Sequence, residues 1–90
     1  MGNSADTPGG LSRTQIAFLE GYLIDNFYPI KSINRSHSAY GLKQKFSREH
    51  FYVTQEQFTA AMKSIGFAAA TDERGNVFFN ISEESPYFVR

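Results

Sequence analysis

Ninety residues with nine Lys and Arg against nine Asp and Glu, and no Cys, describe one small domain of zero formal net charge. The balance argues against indiscriminate attachment to nucleic acid, and the missing thiols exclude disulfides, thiolate metal sites and Cys nucleophiles. No apolar run approaches the ~18 residues that span a bilayer, so neither a membrane partner nor a membrane anchor is expected.

Residues 1–10, MGNSADTPGG, have too little apolar surface to offset the entropy of ordering and read as a flexible leader. Residues 11–90 read as a single domain. Leu11, Ser12, Gln15 and Ile16 have the spacing of a hydrophobic staple around a capping box, which starts a first helix. Ile16, Leu19, Leu23 and Phe27 give its buried face, and Phe18 with Tyr22 an adjacent stripe. Gly21 weakens it by ~1 kcal/mol relative to Ala, or admits a close neighbour. Pro29 ends it by biasing Tyr28 away from helical angles. Pro29 to Ser36 reads as a connector, with Ile30 and Ile33 turned to the core and Lys31 and Arg35 outward.

Ser36 or Ser38 caps a second helix, Ala39 to about Arg48, with Ala39, Leu42 and Phe46 inward and Lys43, Lys45 and Arg48 on its other sides. The third helix is the best punctuated. Thr54 and Gln57 form a capping box stapled by Val53 and Phe58, while Phe58, Ala61, Met62 and Ile65 share one face. Gly66 then serves as a stop. Beyond it the period changes to two: Phe67 to Thr71, a turn at Asp72-Glu73-Arg74-Gly75-Asn76, and Val77 to Ile81 make a hairpin. In the tail, Tyr87 and Phe88 form either a strap closing the core or an exposed partner anchor, with the strap favoured because adjacent apolar residues are costly in water.

Three helices followed by a C-terminal β-hairpin is an α+β arrangement with the order of a winged helix-turn-helix. Positive charge is concentrated in the middle: residues 31–50 hold five cations against Glu49. The candidate nucleic-acid contacts are therefore Lys31, Arg35, Lys43, Lys45 and Arg48 for phosphates, Gln55, Gln57 and Lys63 on the third helix, where Thr59 and Ser64 are further polar candidates, and Arg74 at the hairpin tip. Glu56 opposes that use. His37 and His50 lack partners at metal spacing, and Ser36, Ser38, Tyr40 and Gly41 are explained as caps rather than an anion site. No catalytic residue, cofactor or metal is expected, and the chain does not read as an enzyme.

Ser38-Ala39-Tyr40-Gly41-Leu42-Lys43 and Tyr52-Val53-Thr54-Gln55-Glu56-Gln57-Phe58 resemble strings found in a group of small proteins from bacteriophages and other mobile elements, over roughly residues 32–67. The resemblance implies a phage or mobile-element origin and a helix-turn-helix-like core; with no Cys and no signal pattern at the start, the expected setting is the cytoplasm of a bacterial host. The first functional expectation is a phage-type regulatory protein on double-stranded DNA, gripping phosphates with the basic middle segment and reading bases with the third helix. The second is a small inhibitor that covers a host protein or defence complex, and the third a symmetric assembly protein.

Overall fold

Both capping boxes form as their spacing requires: Ser12 Oγ accepts from Gln15 N at 3.1 Å while Gln15 Oε1 accepts from Ser12 N at 2.9 Å. Thr54 and Gln57 repeat the exchange at 3.0 and 2.8 Å. Each box satisfies backbone donors that an N-terminal turn would leave unpaired. In the computed structural model, which describes residues 10–89, these caps open α1 (Arg13–Asn26) and α3 (Gln55–Ser64), and between them lie β1 (Pro29–Ser38) and α2 (Ala39–Glu49). After α3 come β2 (Ala69–Thr71), β3 (Val77–Ile81) and α4 (Pro86–Val89). Apart from Gly10, the expected leader lies outside the described residues.

The described residues thus form a small α+β fold of four helices and one three-stranded antiparallel sheet, strand order β1-β3-β2. The α1 face closes on the core through Leu19 and Leu23, with Phe27 just beyond its end, α2 through Ala39, Leu42 and Phe46, and α3 through Phe58, Ala61 and Met62. Val77, Phe79 and Ile81 alternate inward along β3 and floor that core. Phe46 sits at its centre, with the rings of Tyr22 and Phe51 edge-on at 4.9 and 5.1 Å between centroids, a preferred arrangement for aromatic pairs.

Gly66 and Gly75 take φ of 106° and 88°, the left-handed region that costs a glycine little. Gly66 turns the chain out of α3, and Gly75 closes the β2–β3 turn, where Asp72 Oδ1 accepts from the backbone N–H of Arg74 and of Asn76. The Asn76 amide also donates to Asp72 Oδ2; these bonds, the Asn76 side chain first, hold the Asp72 carboxyl below its usual range. Gly21 has a different explanation: a Cβ there would meet nothing within 4 Å, so no neighbour needs the space. Gly21→Ala is therefore expected to stabilise the domain by about 0.5–1 kcal/mol, read as a rise in urea midpoint at constant slope; a fall would mean that α1 needs its flexibility.

Two expectations need correction. Pro29 to Ser36 is not a connector but most of β1, and Ile30 is exposed rather than tucked inward. The strand lacks alternation because its pairing with β3 shifts twice, between Pro29 and Asn34 and again between Asn34 and Ser38. Asparagine amides patch the shifts: Asn34 Nδ2 donates to Ile81 O at 3.0 Å and Asn80 Nδ2 to Ile30 O at 2.9 Å. Pro29 is tolerated because it opens an edge strand, and Lys31 and Arg35 on that edge discourage pairing with a second sheet.

The tail forms α4, which straps the core shut. Tyr87 is buried and stacks on Phe27 at 4.5 Å, and its hydroxyl donates to Leu42 O. Ser85, fully buried, accepts from Tyr28 N at 2.9 Å and donates to Ser82 O at 2.6 Å. Those bonds bind the strap to the start of β1.

Candidate interaction surface

The nine residues proposed to meet nucleic acid differ in how freely they face solvent. Lys43 and Lys45 are two positions apart on α2 and therefore point to different flanks. Lys43 is only 5% exposed, its Nζ lying 5.0 Å from the Tyr40 ring and 4.6 Å from the Tyr52 ring. Its placement on an outward side is corrected: the aliphatic stem is covered and the cation rests between two aromatic faces, a favourable arrangement for a positive charge. Lys45 donates to Tyr87 O at 3.2 Å and lies 4.7 Å from that ring. It ties α2 to the strap while remaining half-exposed.

Lys31 and Arg35 are exposed on β1, with the Arg35 guanidinium 5.6 Å from the Phe78 ring. Phe78 alternates with the core-facing Val77 and Phe79, so Arg35 belongs to the outer face of the sheet. Arg48, Lys63 and Arg74 are exposed on α2, α3 and the β2–β3 turn. Gln55 reaches the hairpin, Nε2 to Gly75 O at 3.5 Å, and Gln57 Oε1 is committed to the capping box. Thr59 also differs from expectation, since its hydroxyl is buried without a partner among the described residues.

The side of α3 that faces α1 is more distinctive. A groove of about 480 Å3 runs between α1 and α3. Ile16 and Leu19 form its α1 wall and Ala60 and Ala61 its α3 wall, and Leu11 also lines it. Glu20 stands one turn after Ile16, and Glu56 one turn before Ala60, so each wall carries a carboxylate beside an apolar residue. Glu56 and Ala60 are exposed, and only packing α1 against α3 makes them share a channel with Glu20.

A second aromatic feature surrounds Lys43. Tyr40 and Tyr52 are 55% and 66% exposed, and Gln44 Nε2 reaches Tyr40 Oη at 3.4 Å. They offer amphipathic rings to solvent around a cation held in place by their own faces.

On the far side, His37 closes β1 against the strap. Its Nε2 is 3.1 Å from Glu83 Oε1 and Oε2, and its ring stacks on Phe88 at 4.2 Å. The Asn34 amide, first, and His37, second, hold the Glu83 carboxyl below the usual carboxylate range. This is a structural tie. His50 packs edge-on against Phe18 and Tyr22 at 5.0 and 5.2 Å, and among the described residues no three His, Asp or Glu side chains gather as metal ligands would.

Burial, and secondarily the neighbouring Tyr22, raises the Tyr87 hydroxyl above its ordinary value of 10.0. In the unfolded chain this phenol releases its proton near that ordinary value, whereas the folded chain retains it. Folding stability should therefore decline as pH rises above about 10, and less steeply in Tyr87→Phe. Urea midpoints measured between pH 8 and 11 for both proteins check this, and identical slopes would contradict it.

No helix among the described residues is long and apolar enough to cross a membrane. A scan against protein-family models and searches of curated proteins and of solved structures find no match to this chain.

Proposed function

We propose that the chain is a small interaction protein that covers a patch on a host protein, using a winged-helix scaffold of the kind encoded by phages and other mobile elements. The order α1-β1-α2-α3-β2-β3 and the strand order β1-β3-β2 support that scaffold, with α2 and α3 as the helix-turn-helix pair and the β2–β3 turn as the wing. The observation that carries the functional reading is the exposed flank of α3, where Glu56 and Ala60 open onto the apolar groove shared with Glu20. Against a duplex, the Glu56 carboxylate on that helix meets phosphates and repels them. Against a protein, an apolar floor inside a polar rim is the ordinary anatomy of an interface, and exposed Tyr40 and Tyr52 add residues of the type that anchor one.

The test is capture from nuclease-treated bacterial lysate by the wild-type chain and by Ala60→Arg, which places a charged side chain in the groove. The expected result is a stoichiometric protein retained by the first and lost from the second. Equal retention by both, or retention of nothing but nucleic acid, rejects the reading.

Regulatory binding to duplex DNA is the second reading, favoured by the order of elements and by the exposure of Arg48, Lys63 and Arg74. It requires binding at low salt that weakens steeply as salt rises and that is lost in Arg48→Glu with Arg74→Glu. A titration without binding at low salt removes it.

A further inference from the structure

We infer that the α1–α3 groove receives one amphipathic helix of a partner protein, with its apolar face down and Lys or Arg on its flanks; this rests on the interaction reading above and names the partner's chemistry. The groove lies between two helices, and the ten residues of α3 extend about 15 Å. A helix of about ten residues laid along that length places side chains at i, i+3 or i+4, and i+7 on one face, the spacing by which helices engage apolar grooves.

The volume of about 480 Å3 is of the size of a small-molecule site, but the groove's walls favour a chain. Ile16, Leu19, Ala60 and Ala61 line it with aliphatic surface and no aromatic ring, which fits Leu, Ile or Met anchors. Ala60 leaves the α3 wall low enough for a second backbone to come close. Specificity comes from Glu20 and Glu56, one on each wall. Among the described residues neither makes a salt bridge with Lys or Arg, and no cation lines the groove. Two carboxylates facing one channel attract a helix with cations along both flanks and reject one with acidic flanks.

Other occupants fit less well. The chain's own first nine residues contain Asp6 and no basic side chain, so their charge does not complement the rim. A second copy would have to offer a free helix with cations on both sides of an apolar stripe, but α2 turns its apolar face inward and has Lys43 and Lys45 engaged.

The experiment uses the full chain and three fluorescein-labelled helical peptides: Leu and Ile anchors at i, i+3, i+4 and i+7 with Lys and Arg flanks, the same anchors with Glu flanks, and the Lys and Arg flanks with Ser in place of the anchors. Fluorescence anisotropy at moderate salt is expected to show micromolar binding of the first, with the other two weaker by roughly tenfold or more. Glu20→Lys with Glu56→Lys, both on helix surfaces, should reverse the preference between the first two peptides, and Ala60→Arg should abolish binding. Circular dichroism confirms that the variants are folded.

Equal binding of the basic and acidic peptides, binding unaffected by Ala60→Arg, or no binding overturns the inference. So does self-association through this face, seen by sedimentation as an Ala60-dependent dimer that the basic peptide fails to disperse. If lysate capture still depends on Ala60 while no basic helix binds, the interaction reading stands and only the assignment of its partner falls.

Discussion

Replacing Phe46 with Ala is expected to destabilise the domain by about 3–5 kcal/mol, a large share of the 5–15 kcal/mol that holds a typical small domain folded. Phe46 has no solvent exposure, and its ring contacts aromatic side chains from α1 and from the segment between α2 and α3: Phe18, Tyr22, His50 and Phe51. Truncation leaves a cavity bordered by planar rings, which collapse poorly, in addition to the lost transfer energy. Urea denaturation followed by circular dichroism reads the effect as a fall in midpoint. A change below about 1 kcal/mol would show that the aromatic centre closes over the gap and that the core depends on β3 instead.

Lys43→Glu combined with Lys45→Glu is expected to be nearly as damaging, at about 3–5 kcal/mol. If both lysines were free phosphate contacts, the double variant would fold normally and lose only binding. Their surroundings give a different result. A carboxylate in place of Lys43 would lie between the negative faces of Tyr40 and Tyr52 in a site that is 5% exposed, turning attraction into repulsion. A carboxylate in place of Lys45 would face the Tyr87 carbonyl that the ammonium now satisfies. Arg48→Glu is the control, since Arg48 is exposed in the last turn of α2 and a surface change of this type stays within about 0.5 kcal/mol. A wild-type melting midpoint for the double variant would refute the internal role of both lysines. Its destabilisation would mean that lost DNA binding in this variant cannot be interpreted, whereas loss in Arg48→Glu with Arg74→Glu can.

These two cases divide what local rules predict from what they do not. The burial of Phe46 follows from its spacing with Ala39 and Leu42 along α2. The burial of Lys43 does not, because the rings that cover it belong to the first turn of α2 and to a segment nine residues further on, and their approach depends on the angle between α2 and α3. The same difference appears between strands. The alternation in β3 marks Val77, Phe79 and Ile81 as inward, while β1 has no alternation, since its two register shifts are accommodated by Asn34 and Asn80 from opposite strands.

By itself the sequence determined the caps, the three long helices, the apolar faces they bury, and the hairpin turn at Gly75, because each depends on side chains within one or two turns of each other. Only the tertiary structure decided that β1 joins the sheet, that Tyr87 straps the core, that Lys43 and Lys45 are engaged internally, and that Glu20 and Glu56 face one groove. Each of those outcomes depends on groups far apart in the chain, and their meeting is set by how helices and strands pack, which local periodicity does not encode.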